Sequence, residues 1–116
     1  MGENKGHTPD IIRGTLDLLV LKALSCGPAH GYAVARWIEQ ATGDCLAVGE
    51  GTLYPALHRL EERGWISANW GTSENNRQAK FYGLTKRGRA RLEVESENWR
   101  RYAAAVFAAL DVPRQP

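Results

Sequence analysis

The apolar residues of this chain change period twice, and that change limits its fold more than any other feature. Between residues 13 and 63 they recur at the three- and four-residue spacing of helices. Between residues 65 and 84 they alternate as strands do, and after Thr85 the helical spacing returns. Glycine and proline cut the first helical stretch. Gly27-Pro28 ends one helix, because proline lacks a backbone N–H and restricts the residue before it. Gly43 closes a second helix and Gly64 a third, as residues that tolerate a left-handed backbone. The spacing therefore predicts helices over 13–25, 30–42 and 50–63. A hairpin of strands 65–70 and 78–84 follows around the polar loop GTSENN, and a last helix runs from an N-cap at Thr85 to about Leu110.

At 116 residues the chain suits a single core. Its 43% hydrophobic and 24% charged residues are an ordinary globular composition. No run approaches the ~20 apolar residues of a membrane span, and residues 1–9 are too polar for a signal sequence. The expectation is a cytoplasmic protein with no membrane partner. Its parts are a flexible tail at 1–10, a unit of three helices and a hairpin at 11–84, a long last helix at 85–110 and a second flexible tail at 111–116. Cys26 and Cys45 read as free thiols. Cys26 and His30 do not make a metal pair, since Gly27-Pro28 breaks any helix that would align them and no second pair occurs. Nothing in the sequence calls for a cofactor.

Three helices, a hairpin and a further helix in that order describe a winged helix-turn-helix, mainly α with a small β-hairpin. In such folds the third helix enters the DNA major groove and the hairpin reaches the phosphate backbone or an adjacent groove. Two helices carry surplus apolar surface. In the first, Leu16, Leu19, Val20, Ala23 and Leu24 share a face while Leu18 and Leu21 fall outside it. Either a second subunit covers them or the helix is central to a monomer's core. The last helix, about 39 Å long at ~1.5 Å per residue, outruns the core of so small a domain. Trp99, Tyr102, Val106, Phe107 and Leu110 on its distal half should pack on another chain.

The net charge of +2 is unevenly spread. Residues 51–91 hold 8 Lys/Arg against 3 Asp/Glu, a local net of +5, while both flanks are mildly acidic. Such a block is the footprint of a polyanion partner. On the third helix Leu53, Leu57, Leu60 and Gly64 face inward with Ala56 beside them, and Thr52, Pro55, His58, Arg59 and Glu62 face out. An outward face of this kind reads base edges or simply meets solvent. Arg77 and Lys80 on the wing, followed by Lys86, Arg87, Arg89 and Arg91, favour the first. Tyr82 either reaches a phosphate or packs beside Trp65.

The strings RGTLDLLVLKAL, GPAHGYAVARWIEQ, EGTLYPALHRLEERGWI and SENNRQAKFYGLT resemble the PadR family of bacterial transcriptional regulators, in particular its short members with one C-terminal helix. The likeness covers about residues 12–110. It implies a winged-helix homodimer on pseudo-palindromic operator DNA, usually a repressor, released in some members by a small effector. It also implies that the last helix pairs with its partner and with the partner's first helix. Positions that match the family motifs carry DNA-contacting roles: Tyr32, Thr52, Tyr54, Pro55, Arg77 and Lys80. Trp99 lies where ligand-sensing relatives place an aromatic beside a cavity that takes small aromatic effectors; packing at the interface would require the same residue. One departure is Gly49, where the family commonly has a capping side chain.

A different class of function, a winged-helix module that binds protein and not DNA, draws support from Glu61, Glu62 and Glu74. An enzyme does not fit: His7, His30 and His58 are scattered, with no nucleophile and orienting carboxylate in view. Pro55 falls just beyond the first helical turn, so the Gly51 carbonyl should lose its partner and the helix should kink mildly there. Tyr54 borders that face, free to pack on the second helix or to reach a phosphate.

Overall fold

The helical, strand-like and again helical periods of the sequence become seven elements in the computed structural model, which describes residues 13–114. They are α1 (Arg13–Leu24), β1 (Ala29–His30), α2 (Gly31–Ala41), α3 (Glu50–Glu62), β2 (Ile66–Thr72), β3 (Gln78–Leu84) and α4 (Lys86–Leu110). The expected tail at 1–10 lies outside the described residues. Of the expected tail at 111–116, the described part, Asp111 to Arg114, is exposed beyond the end of α4.

Local chemistry sets the boundaries. His30 is extended (φ −83°, ψ 168°), and its Nδ1 accepts the Ala33 N–H at 3.2 Å, satisfying one of the free donors at the start of α2. Thr85 does the same for α4, accepting from the Gly88 N–H at 3.0 Å. Its hydroxyl also donates to the Gly64 carbonyl at 2.7 Å, so one side chain caps α4 and ties it to the end of α3. Gly64 turns the chain there with φ +77°. α3 starts at Gly49 with no side-chain cap. It runs unbroken across Pro55, whose missing N–H leaves the Gly51 carbonyl without its usual donor.

The core joins Leu16, Val20, Leu21 and Leu24 of α1 to Val34 and Ile38 of α2, Leu53, Ala56, Leu57 and Leu60 of α3, Ile66 and Tyr82. Leu21, expected to await a second subunit, is buried within its own chain at 1% exposure. The reason is that α1 is central: α2, α3, α4 and β3 all pack on it, so its buried arc is wider than a single-sided stripe. Leu18 keeps only intermediate exposure.

The sheet has three strands rather than two, ordered β1-β3-β2 and antiparallel throughout. Ala29 and His30 pair with Tyr82 and Phe81, so His30, expected to start the second helix, first ends a short strand. The hairpin is also longer than expected, with β2 taking in Gly71 and Thr72 and leaving Ser73 to Arg77 as the turn. The turn is closed by Ser73 N–H to Arg77 carbonyl at 2.8 Å and Asn76 N–H to Ser73 carbonyl at 2.9 Å.

Within the described residues α4 packs through Gly88 and Leu92 and through Trp99, which bonds to Thr15 of α1, and the helix carries the molecule to 63 Å in its longest dimension. Trp99, Tyr102, Val106, Phe107 and Leu110 are all exposed, between 40% and 72%.

Candidate nucleic-acid interface

Burying Leu53, Ala56, Leu57 and Leu60 forces the opposite side of α3 outward, and Thr52, Pro55 and His58 are exposed along it. His58 Nε2 lies 3.2 Å from a Glu62 carboxylate oxygen one turn on, both groups well exposed. Arg59 departs from this face. Its guanidinium donates to Asp17 of α1 at 2.7 Å, with the two side chains 19% and 17% exposed. Its Nε is buried with no hydrogen-bond partner among the described residues. A side chain held so by α1 is not presented to an outside ligand, and the expectation that Arg59 reads bases is corrected accordingly. The cause is the length of the side chain: its Cβ leaves the helix at the border of the outward face, and the flexible stem curls back to the nearest carboxylate.

Tyr54 packs. Its ring lies over the start of α2, so close that a Cβ added to Gly31 would fall 2.7 Å from the phenolic oxygen. Glycine at position 31 is what allows that approach. The ring still keeps 45% exposure, and its hydroxyl stays on the same rim as Tyr32, which is 69% exposed and stacks on His30 with ring centroids 6.4 Å apart.

The wing completes the surface. Arg77 stands exposed at the end of the turn. Lys80 leans toward α3, with its Nζ 3.9 Å from a Glu61 carboxylate oxygen and 5.9 Å from the Tyr82 ring centre. Tyr82 is a core residue at 6% exposure, paired across the sheet with Ala68. Burial, with smaller contributions from the Glu61 charge and Tyr54, raises its phenolic pKa above the ordinary 10.0. Between α3 and the wing lies an open cleft of about 420 Å³, bordered by Tyr32, Tyr54, Trp70, Arg77, Lys80 and Tyr82. Glu61 and Glu62, which favoured a protein partner in the sequence, are each drawn to a neighbouring base, Lys80 and His58.

Of the residues singled out in the sequence, Tyr32, Tyr54, Arg77 and Lys80 share this cleft, while Thr52, Pro55 and His58 lie on the exposed face of α3. Trp70 was missed. It alternates in phase with Ile66 and Ala68 and shares their side of β2, yet the core ends at Ala68 and the indole is 69% exposed.

A second recess, a groove of about 590 Å³, runs between α1 and α4 past Leu18, Leu19, Lys22, Leu92, Ser96 and Trp99. Trp99 Nε1 donates to Thr15 Oγ1 at 3.1 Å, which fixes the indole edge against α1. Among the described residues no group of His, Cys, Asp or Glu is arranged to hold a metal, and no helix is long and apolar enough to cross a membrane.

Comparison with known proteins places this geometry. The model of the transcriptional regulator PadR-like family matches residues 20–94. A protein of Lysinibacillus sphaericus described as uncharacterized protein X is 32% identical over 90 residues, spanning 78% of this chain and 83% of that one. The structure of a transcriptional regulator from Clostridium thermocellum superposes with a TM-score of 0.77 at 29% identity, over 86% of this chain and 97% of the other. A padr family transcriptional regulator from Eggerthella lenta gives a TM-score of 0.74 at 30% identity, over 87% and 86%.

Proposed function

The chain belongs to the PadR-like family of transcriptional regulators, and from that premise we propose that it is a homodimeric repressor that binds a pseudo-palindromic operator. The observation that carries the reading is the exposed face of α3, with Thr52, Pro55 and His58, set beside a wing that presents Arg77 and Lys80. The N-terminal part of α3 enters the major groove, Thr52 and His58 reach base edges, and the wing cations take phosphates. Tyr32 and Tyr54 add hydroxyl donors to the backbone. No catalytic step is part of this function.

Dimerisation is supported by the exposed apolar run on α4 from Trp99 to Leu110, whose extent is unusual for a solvated helix. Two recognition helices related by a two-fold axis read two half-sites, which is why the operator is expected to be palindromic. A flat aromatic effector beside Trp99, in the recess between α1 and α4, would bias the angle between the two reading heads.

A gel shift on the promoter of the chain's own operon, at low and at moderate salt, tests the reading. A retarded band that weakens steeply with salt is expected, since each phosphate contact releases counterions. No shift at low salt defeats it. Selection from a random DNA pool should return two inverted half-sites; a single unrepeated site defeats the dimer. Titration with flat aromatic compounds should alter tryptophan emission, and an unchanged signal removes the effector.

A further inference from the structure

Trp70 stands where a winged helix does not need a large apolar side chain for its own packing. Its indole is on the core-side face of β2 but beyond the end of the core, 69% exposed, with Lys80 as its cross-strand partner. It forms one wall of the cleft between the wing and α3, with Arg77 and Lys80 on the same side and Tyr54 and Tyr32 opposite. A surface that attracts DNA by charge alone needs only lysine and arginine. Here an indole is set among the cations.

We propose that this cleft seats the sugar–phosphate backbone of one DNA strand, with the Trp70 indole packed flat on a deoxyribose. The inference rests on the DNA-binding function above and deepens it. Along a strand, anionic phosphates alternate with sugars whose ring faces are C–H surface. The cleft offers a complement to both: Arg77 and Lys80 take phosphates, and the indole, which faces Lys80 across the hairpin, takes the sugar next to the phosphate that Lys80 holds. The phenolic hydroxyls of Tyr54 and Tyr32 lie across the cleft as donors to phosphate oxygens. A recess of about 420 Å³ is in the ~300–1,000 Å³ range that encloses a small molecule, so it takes one or two nucleotide units of a single strand. The remainder of the duplex then faces α3. Lys80, 3.9 Å from a Glu61 oxygen in the free protein, trades part of that attraction for the phosphate.

The indole and the cations differ in one measurable respect. Apolar packing releases no counterions, whereas each phosphate contact contributes close to one unit to the slope of log affinity against log salt. A labelled random-sequence duplex, followed by fluorescence anisotropy at a series of salt concentrations, separates the two. Trp70→Ala should weaken binding roughly tenfold with the salt slope unchanged, about 1.4 kcal/mol, as expected for one large side chain left unburied. Trp70→Phe should fall between the two. Arg77→Ala should weaken binding and lower the slope by about one. Tryptophan emission should change on titrating the native protein with duplex, and most of that change should vanish in Trp70→Phe. Thermal melts of the variants should match the native protein, since the side chain is exposed.

Native protein that binds the duplex while Trp70→Ala binds it with equal affinity overturns the proposal. So does a Trp70→Ala variant whose salt slope drops as that of Arg77→Ala does, which would make the indole a support for the cations. Native protein that binds no duplex at low salt overturns the DNA-binding function itself, and this inference with it.

Discussion

Arg59 shows how far the direction of a side chain can depart from the direction of its helix. Stepping round α3 places its Cβ with Thr52, Pro55 and His58, and nothing local says otherwise. The deciding group, Asp17, lies 42 positions earlier in the chain. A helical wheel reports where a residue leaves the backbone; a long side chain then ends wherever charge and burial are best served. Because the pair is mostly buried, removing one member leaves the other desolvated and unpaired, which is costlier than losing a surface ion pair. Arg59→Met should therefore lower unfolding free energy by about 2–3 kcal/mol in urea denaturation, and adding Asp17→Asn should restore part of it. The half-site returned by DNA selection should stay unchanged in Arg59→Met. A relaxed half-site in a fully stable variant would return Arg59 to base reading. Tyr82 provides the corresponding test by pH. Its folded pKa is raised above 10.0, so the folded state holds the proton more tightly than the unfolded chain. The stability this contributes is complete below pH 10 and is lost as pH rises through the folded value. The native protein should lose stability above about pH 10 more steeply than Tyr82→Phe, measured as chemical denaturation midpoints across that range.

At the scale of elements, the sequence displays whatever repeats. The four helices and the hairpin follow from periodicity, and their ends follow from Gly43, Gly64 and Thr85. β1 was not legible, because a two-residue strand has no period; it exists only because β3 offers Tyr82 and Phe81 an unpaired edge on that side. Trp70 was legible as a strand residue but not as part of a cleft, since how far the core extends along the hairpin depends on where α3 lies. Gly88 is a further element-level constraint hidden in the sequence. By helix propensity alone a glycine weakens a long helix, whereas in the fold Gly88 is buried, and a Cβ at its position would lie 1.9 Å from the Trp65 carbonyl oxygen. That carbonyl also accepts the Thr85 N–H at 3.0 Å, so it cannot retreat without breaking the junction between wing and α4. Gly88→Ala, a favourable change in an ordinary helix by about 1 kcal/mol, should here destabilise by about 3 kcal/mol or rearrange the start of α4. Thermal unfolding checks this, with Gly51→Ala as the control. Position 51 is exposed with open space around the added methyl, and that variant should gain about 0.5–1 kcal/mol.

For the whole molecule, α4 sets the question of assembly. Its 25 residues measure about 37 Å at ~1.5 Å per residue, and the half beyond Leu92 shows Trp99, Tyr102, Val106, Phe107 and Leu110 to solvent. A charge placed among them costs little in a monomer, where the position is already wet, but must be desolvated when two helices close on each other. Phe107, 64% exposed, is the position to change, since it touches none of the α1 contacts that hold Trp99. Phe107→Glu should leave the thermal stability of the winged helix at low protein concentration unchanged and raise the dimer dissociation constant by at least about a hundredfold, as for loss of a central aromatic anchor. Sedimentation velocity across a concentration series reads the second quantity. The consequence for DNA is larger than the loss of one contact. Two linked reading heads bind a palindrome with an avidity about 10²–10⁴ above that of either head. The variant should bind a full operator no better than an isolated half-site, while its affinity for the half-site equals that of the native protein. If Phe107→Glu remains dimeric, the contact between copies lies elsewhere than the distal half of α4. If it dissociates and still distinguishes the full operator from the half-site, pairing of the two heads occurs on the DNA and not through α4.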